Sequence, residues 1–290
     1  MKLPMLQKSP RTSVRSADRD CTHVIRAGVD ALSRGSSFGE GEGLAAQDVC
    51  KRLLDAIGAS AGLIVLGPTL LVCALMVWGQ DRHSPFYLAD RVGRGGRLFR
   101  IVKLRSMIQG ADSSGVTSTS ACDHRITALG HKLRRSKLDE LPQLWNVLKG
   151  DMSLVGPRPQ VISGVRLYTR EELCLLRVRP GITDLASIVF ADEGEILRGE
   201  VDPDMAYDRL IRPWKSRLGL LYVEHRSLGL DCCILWLTIL SFISRRAALA
   251  GVAGVVMRLG ASPDLCRVAR RQEPLRPHLP PGHDQPRAAF

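Results

Sequence analysis

The sequence predicts an α+β, mainly helical fold that rests on a membrane. Three observations predict it. A run of 24 residues from Ala56 to Gly79 carries no charged side chain. Helical patterning dominates the chain after it, apart from a small β element near residues 86–104. The balance is basic, with 41 Lys+Arg against 29 Asp+Glu and a formal net charge of +12. Such a surplus implies an anionic partner, and phosphate is its common form in lipid, nucleotide or nucleic acid.

Residues 1–48 hold Ser-Arg-Gly-Ser-Ser and Gly-Glu-Gly-Glu-Gly with no sustained apolar period, and read as a disordered N-terminal extension. They also lack the apolar centre of a secretory signal. The functional domain is expected over residues 49–245. Lys51 and Arg52 open it, just before the charge-free run. About 20 apolar residues suffice to cross a bilayer as a helix. Gly67-Pro68 sits near the middle of the run, however, and proline removes a backbone donor and crowds the preceding turn. Both flanks are basic, with Arg82, Arg91, Arg94 and Arg97 following, and basic flanks favour the cytoplasmic side. Pattern alone therefore allows a plain span, or a helix that bends at Gly67-Pro68 and returns to the face it left.

From Arg91 to Lys137 there are eleven basic residues and two acidic ones, a composition suited to lipid or diphosphate phosphates. Within it, 98–104 reads as a strand, 110–121 as a Gly/Ser/Thr loop and 124–135 as a basic helix. Gln143 to Leu148 is predicted helical, with Gly150 placed to end it. Pro157 and Pro159 make a rigid turn around Arg158. Residues 160–178 are predicted to form one helix, with Tyr168, Leu175 and Leu176 on one side. Residues 203–226 are helical in pattern. Leu228 to Ser244 is apolar, interrupted by Asp231, and too short for a comfortable span, so it suits a helix lying in the membrane interface. Residues 246–290 are expected to be a mostly disordered extension. The eight cysteines show neither CxxC nor metal-ligand spacing, and read as reduced and buried in a cytoplasmic compartment.

Asp139-Glu140 is the first candidate for chemistry. Adjacent acids before a helix ordinarily act as a cap or dipole partner. Here the pair follows a basic stretch and an apolar anchor, which is what membrane phosphoryl transfer needs. One carboxylate can attack phosphorus and form a covalent intermediate. The other can hold Mg2+, a hard ion that prefers oxygen ligands. Arg158, fixed between two prolines, suits bidentate phosphate contact. Arg134, Lys103 and Arg105 are further candidates for phosphate, with lipid headgroups the competing partner. No P-loop or dinucleotide loop occurs.

The sequence resembles the bacterial sugar transferases, the small monotopic polyprenol-phosphate phosphoglycosyl transferases. The resemblance lies in Lys51-Arg52-Leu53-Leu54-Asp55, in Lys103-Leu104-Arg105-Ser106-Met107, in the block from Leu138 to Pro159, and in Arg179-Pro180-Gly181-Ile182-Thr183. It covers roughly residues 50–245. It implies a re-entrant helix-break-helix over 53–80, broken at Gly67-Pro68 where the family commonly has Ser-Pro. It implies Asp139 as the nucleophile that takes a phospho-sugar from a UDP-sugar and releases UMP, before passing it to undecaprenyl phosphate. It implies Glu140 as the Mg2+ ligand, and Arg158 and Arg134 as phosphate contacts. The setting it implies is the cytoplasmic face of the bacterial inner membrane. Where many members read Gly-Trp-Ala-Gln after the threonine, this chain reads Asp184-Leu185-Ala186-Ser187, in a region that would bear on the choice of sugar.

The partners expected are the UDP-sugar, the polyprenyl phosphate and anionic membrane lipids, with a homo-oligomer compatible. The alternative is a non-catalytic membrane scaffold for polysaccharide assembly, but a scaffold has no need of paired acids beside an arginine turn. Nucleic acid is not expected, since no recognised motif accompanies the positive charge.

Overall fold

The computed structural model describes residues 25–29, 42–111, 118–120 and 122–283. Most of the N-terminal extension, the middle of the 110–121 loop, Cys21 and residues 284–290 lie outside the described residues.

The apolar run belongs to one long helix, α2 (Glu42–Asp81, 40 residues). It follows a short helical turn, α1 (residues 25–29). One stripe of α2 is buried at helical spacing: Asp55, Ala59, Cys73, Ala74 and Val77. Small residues let it lie close. A Cβ on Gly58 would meet Leu154 Cδ1 at 2.7 Å, and one on Gly62 would meet Leu144 Cδ1 at 3.1 Å. The opposite face leaves Ile57, Ile64, Val65, Leu71, Val72 and Leu75 exposed. Gln47–Asp81 is long and apolar enough to cross a membrane by length and composition. Helical structure runs uninterrupted through Gly67 and Pro68. One proline forfeits a single hydrogen bond, and its neighbours carry the helix past it.

β1 (Phe86–Val92) and β2 (Leu98–Leu104) form an antiparallel hairpin, with Phe86 opposite Leu104 and Val92 opposite Leu98. Gly95 and Gly96 turn it at φ 64° and 72°, a region that favours glycine. Gly96 also admits α1, since a Cβ there would stand 2.8 Å from Ile25 Cγ2. Ile25 and Val29 are buried with Val92, Tyr168 and Leu173. Part of the extension predicted to be disordered is thus core, on the strength of two apolar residues one turn apart.

Helices α3 (Ala128–Arg135) and α4 (Gln143–Lys149) follow, joined by the 3-10 turn Leu138–Glu140. Gly150 ends α4 at φ 91°, as predicted. β3 (Ser153–Val155) pairs in parallel with β4 (Gly181–Thr183). Between them, the predicted helix over 160–178 is two pieces, α5 (Ile162–Val165) and the 3-10 helix Glu172–Arg177. The reason is a capping box. Glu172 N donates to Thr169 Oγ1 at 3.2 Å, and Thr169 N donates to Glu172 Oε2 at 2.9 Å, which starts a new element at 169.

The remaining helices are α6 (Leu185–Val189), α7 (Glu193–Ile196), α8 (Pro203–Ala206), α9 (Arg212–His225) and α10 (Leu228–Ile243). A π-helical segment, Tyr207–Ile211, joins α8 to α9. Along α10, Trp236, Ile239, Phe242 and Ile243 are exposed, while Ile234 and Leu237 are buried. The C-terminal extension expected to be mostly disordered instead forms α11 (Arg245–Arg258) and α12 (Pro263–Arg270). Ala248, Val252, Val256, Leu265 and Ala269 enter the largest core, with Leu185, Trp214 and Ile234. Small residues hide this amphipathy from a composition count. Gly251 leaves room for Leu237, whose Cδ2 would lie 2.4 Å from a Cβ. Cysteine burial is also corrected: Cys50, Cys122 and Cys232 are exposed, and all described cysteines are free.

Candidate active site

The site is built where the turn after α3 meets the hairpin and the loop after β3. Ser136 closes α3, and Lys137 then adopts φ 57°, an uncommon left-handed conformation for a side chain with a Cβ. That reversal starts the 3-10 turn and buries Asp139, at 6% exposure. Pro142 then leads into α4.

Asn146 on α4 fixes the hairpin to this turn. Its Nδ2 donates to Arg100 O at 2.7 Å and its Oδ1 accepts from Val102 N at 3.0 Å. Lys103 is the next residue, and its Nζ lies 3.2 Å from Glu140 Oε1. From the other side comes Arg158, whose guanidinium forks across both oxygens of Glu140, with Nη1 3.3 Å from Oε2 and Nη2 on Oε1. The loop carrying Arg158 is set backbone against backbone. Gly181 N donates to Pro157 O at 3.0 Å, and a Cβ on Gly156 would stand 2.4 Å from Arg179 O.

Among the described residues Asp139 has no such partners. Its Oδ1 is buried without a hydrogen bond, as is Nε2 of Gln143 four residues on. Burial, then the charge of Glu140, raises its pKa, against the opposing pull of Lys103, Arg134 and Lys137. For Glu140, burial acts upward too, but the charges of Arg158 and Lys103 and the Arg158 hydrogen bond outweigh it. Its carboxyl is held well below the usual range. Adjacent carboxylates are thus driven in opposite directions, a pattern frequent where two acids take separate roles. Lys103, Arg134, Lys137 and Arg158 act on the pair, so four cations face two carboxylates. The surplus of positive charge suits a diphosphate.

Asp139, Glu140, Lys103, Arg134 and Arg158 are therefore brought together. Arg134 is tethered by its Nε to Ser106 Oγ at 3.0 Å. Arg105 is used elsewhere: it forks onto Asp81, with Nη2 to Oδ1 at 2.6 Å, and donates to Ser84 O at 2.9 Å. It fastens the end of α2 to the hairpin. Gly67 stands away from the site, with open space where a Cβ would be, and Pro68 is exposed beside it.

Sequence reasoning passed over Asn146, although it sits inside the block that carried the resemblance. It also passed over Glu193 and Lys215, which ion-pair behind Arg158. No local signal marks that pair, since the two residues lie on different helices. Asp184, from the divergent stretch after β4, is buried as the cap of α6, with Ser187 N donating to its Oδ1 at 2.6 Å. Burial raises its pKa.

A model of the family described as bacterial sugar transferase matches residues 46–245, more than half of the chain. The chain belongs to the bacterial sugar transferase family. The match ends at the start of α11, so this transferase carries α11 and α12 beyond it. Relatives agree. The chain is 36% identical over 169 residues to a UDP-N-acetylgalactosamine-undecaprenyl-phosphate N-acetylgalactosaminephosphotransferase of Aeromonas hydrophila, covering 57% of this chain and 40% of that one. It is 36% identical over 178 residues to a UDP-glucose:undecaprenyl-phosphate glucose-1-phosphate transferase of Caulobacter vibrioides, covering 59% and 67%. It is 33% identical over 213 residues to a UDP-galactose-lipid carrier transferase of Erwinia amylovora, covering 68% and 41%. The match thus spans well under half of two of these relatives. Their names carry three different sugars.

Proposed function

We propose that this sugar transferase moves a sugar-1-phosphate from a UDP-sugar to undecaprenyl phosphate, releasing UMP, as the first membrane step in building an exopolysaccharide, capsule, O-antigen or related glycan. The observation that carries the reading is the buried, partnerless Asp139 oxygen next to a Glu140 locked by Arg158 and Lys103. A carboxylate oxygen that no protein hydrogen bond holds is available to act as a nucleophile.

In this reading an Asp139 oxygen attacks the phosphorus that bears the sugar. The bond from that phosphorus to the bridging oxygen breaks, and UMP leaves with the electron pair. An oxygen of undecaprenyl phosphate then attacks the same phosphorus and frees Asp139. Arg158, Lys103 and Arg134 offset the charge on the transferring phosphoryl group. The acidic pair fits Mg2+, which takes few protein carboxylates together with substrate phosphates, and Oε2 of Glu140 keeps a lone-pair direction beyond its one contact at 3.3 Å. Glu140 would hold the ion, which when bound neutralises diphosphate charge.

The setting is the cytoplasmic face of the bacterial inner membrane. α2 packs on one domain at its start through Lys51 and Asp55, at its middle through Ala59 and Leu63, and at its end through Val77 and Asp81. A helix so attached keeps both ends on one side and offers its outer apolar face to lipid. Anionic headgroups would meet the basic surface around it.

The test is UMP release by the detergent-solubilised chain given Mg2+, undecaprenyl phosphate and a panel of UDP-sugars. Lipid-dependent UMP from one sugar, abolished by Asp139→Asn, is expected. UMP release that survives Asp139→Asn would remove the aspartyl intermediate.

A further inference from the structure

Beyond Arg158 a second polar group continues the site. Gln160, two residues past Arg158, donates its Nε2 to the Tyr207 hydroxyl at 3.4 Å. The ring of Tyr207 faces Lys215 Nζ, 5.2 Å from its centroid. Lys215 is ion-paired with Oε2 of Glu193. Glu193 is the more open of the two, at 31% side-chain exposure against 16%, and its Oε1 makes no hydrogen bond among the described residues. The group borders the phosphate-binding end of the site: Glu193 acts electrostatically on Arg158, and Arg158 on Lys215.

The loop bearing Glu193 is braced from behind. Asp192 is ion-paired to Arg245 at 2.7 Å and to Arg271 at 3.2 Å, and Arg271 lies 5.8 Å from the centre of the Phe190 ring. Arg271 follows α12, beyond the residues that match the family. The brace thus draws on Arg271, outside the matched residues, and on Arg245 at their edge.

A carboxylate accepts from a hydroxyl and an ammonium donates to one, so such a pair is matched to two neighbouring hydroxyls of a sugar ring. An aromatic ring beside them offers a face for the ring's C–H groups. We infer that Glu193, Lys215 and Tyr207 form the subsite that reads the hexose of the donor, with Gln160 orienting Tyr207 and the Asp192 brace holding the loop. The inference rests on the UDP-sugar reading above. It places sugar choice across α7, the π-helical segment and α9, separate from the phosphate chemistry at Asp139.

Equilibrium binding to the detergent-solubilised full chain tests it, with UDP-glucose, UDP-galactose, UDP-N-acetylgalactosamine and UMP as probes. Glu193→Gln is expected to weaken the best-bound UDP-sugar roughly tenfold or more, the scale of a lost charge-assisted hydrogen bond. UMP, which has the ribose and no hexose, should stay within about twofold. Tyr207→Leu should repeat the pattern, and serves alone if Glu193→Gln does not fold. Parallel weakening of UMP and UDP-sugar would assign the group to the nucleoside and overturn the inference. Unchanged binding, or a wild type that binds no UDP-sugar better than UMP, would overturn it as well. Because binding needs no turnover, a wild type that favours a UDP-sugar yet releases no UMP would count against the transfer reaction and leave the subsite standing.

Discussion

Asp139 is held in a place unfavourable to its charge. The folded protein binds its proton more tightly than the unfolded chain does, because burial and Glu140 raise its pKa. The contribution of this group to stability is therefore full below its unfolded pKa, about 4, and is lost as pH rises through the higher folded value. Asp139→Asn is expected to melt higher than wild type at pH 7.5, by roughly 2–4 °C for each kcal/mol regained, and to lose that advantage below about pH 4. A lower melting temperature at pH 7.5 would show that Asp139 stabilises the fold. Glu140 has the opposite sign. Arg158 and Lys103 hold its pKa down against burial, so its stabilisation is present at neutral pH and lost as the solution is acidified through its folded value. Arg158→Ala should raise the pKa of Glu140 and move the acid limb of the pH–rate profile upward. Arg158→Lys keeps the charge and loses the fork, so kcat/KM should fall about a hundredfold with the limb moving less. Equal profiles for the two variants would separate Arg158 from the ionisation of Glu140. At this scale the sequence was legible where acid, arginine and lysine share short motifs. It named Arg105 for phosphate as well, because only the fold shows Asp81 within its reach.

At the scale of the element, α2 is one apolar run with two unlike faces. Its inner stripe meets protein and its outer face meets none among the described residues. Ala59 is fully buried, so Ala59→Leu should overpack the contact with Leu144 and Met152 and cost about 1–3 kcal/mol, read as a lower melting temperature in detergent. Ile64→Ser lies on the outer face, at 77% exposure, and should leave that temperature unchanged while releasing more protein from membranes on a high-salt wash. The reverse assignment of effects would exchange the two faces. Proline and composition misled the reading of elements in two places. Pro68 suggested an interruption where helical structure continues, and the Pro, Arg and His of the C-terminal region obscured α12, whose buried face is only Leu265 and Ala269. The split at Thr169 was legible in principle, since Thr-x-x-Glu is a start signal.

At the scale of the whole molecule, the proposed same-side topology of α2 follows from its contacts with one domain at both ends. Cys50, exposed at the start of α2, and a cysteine introduced as His83→Cys just past its end should react with a membrane-impermeant maleimide from the same side, with the other cysteines changed to serine. Both should label in inverted inner-membrane vesicles and neither in intact spheroplasts. Labelling from opposite sides would make α2 a span.

The sequence by itself determined the family, the acidic pair with its arginine turn, the apolar anchor and most helices, because these rest on short-range chemistry and on periodicity. Only the tertiary structure decided which cations reach Glu140, that Oδ1 of Asp139 has no hydrogen bond among the described residues, that both ends of α2 meet one domain, and that α11 and α12 brace the loop beside Glu193. Each of those depends on residues far apart in the chain, and their proximity follows from how the helices pack rather than from any local pattern.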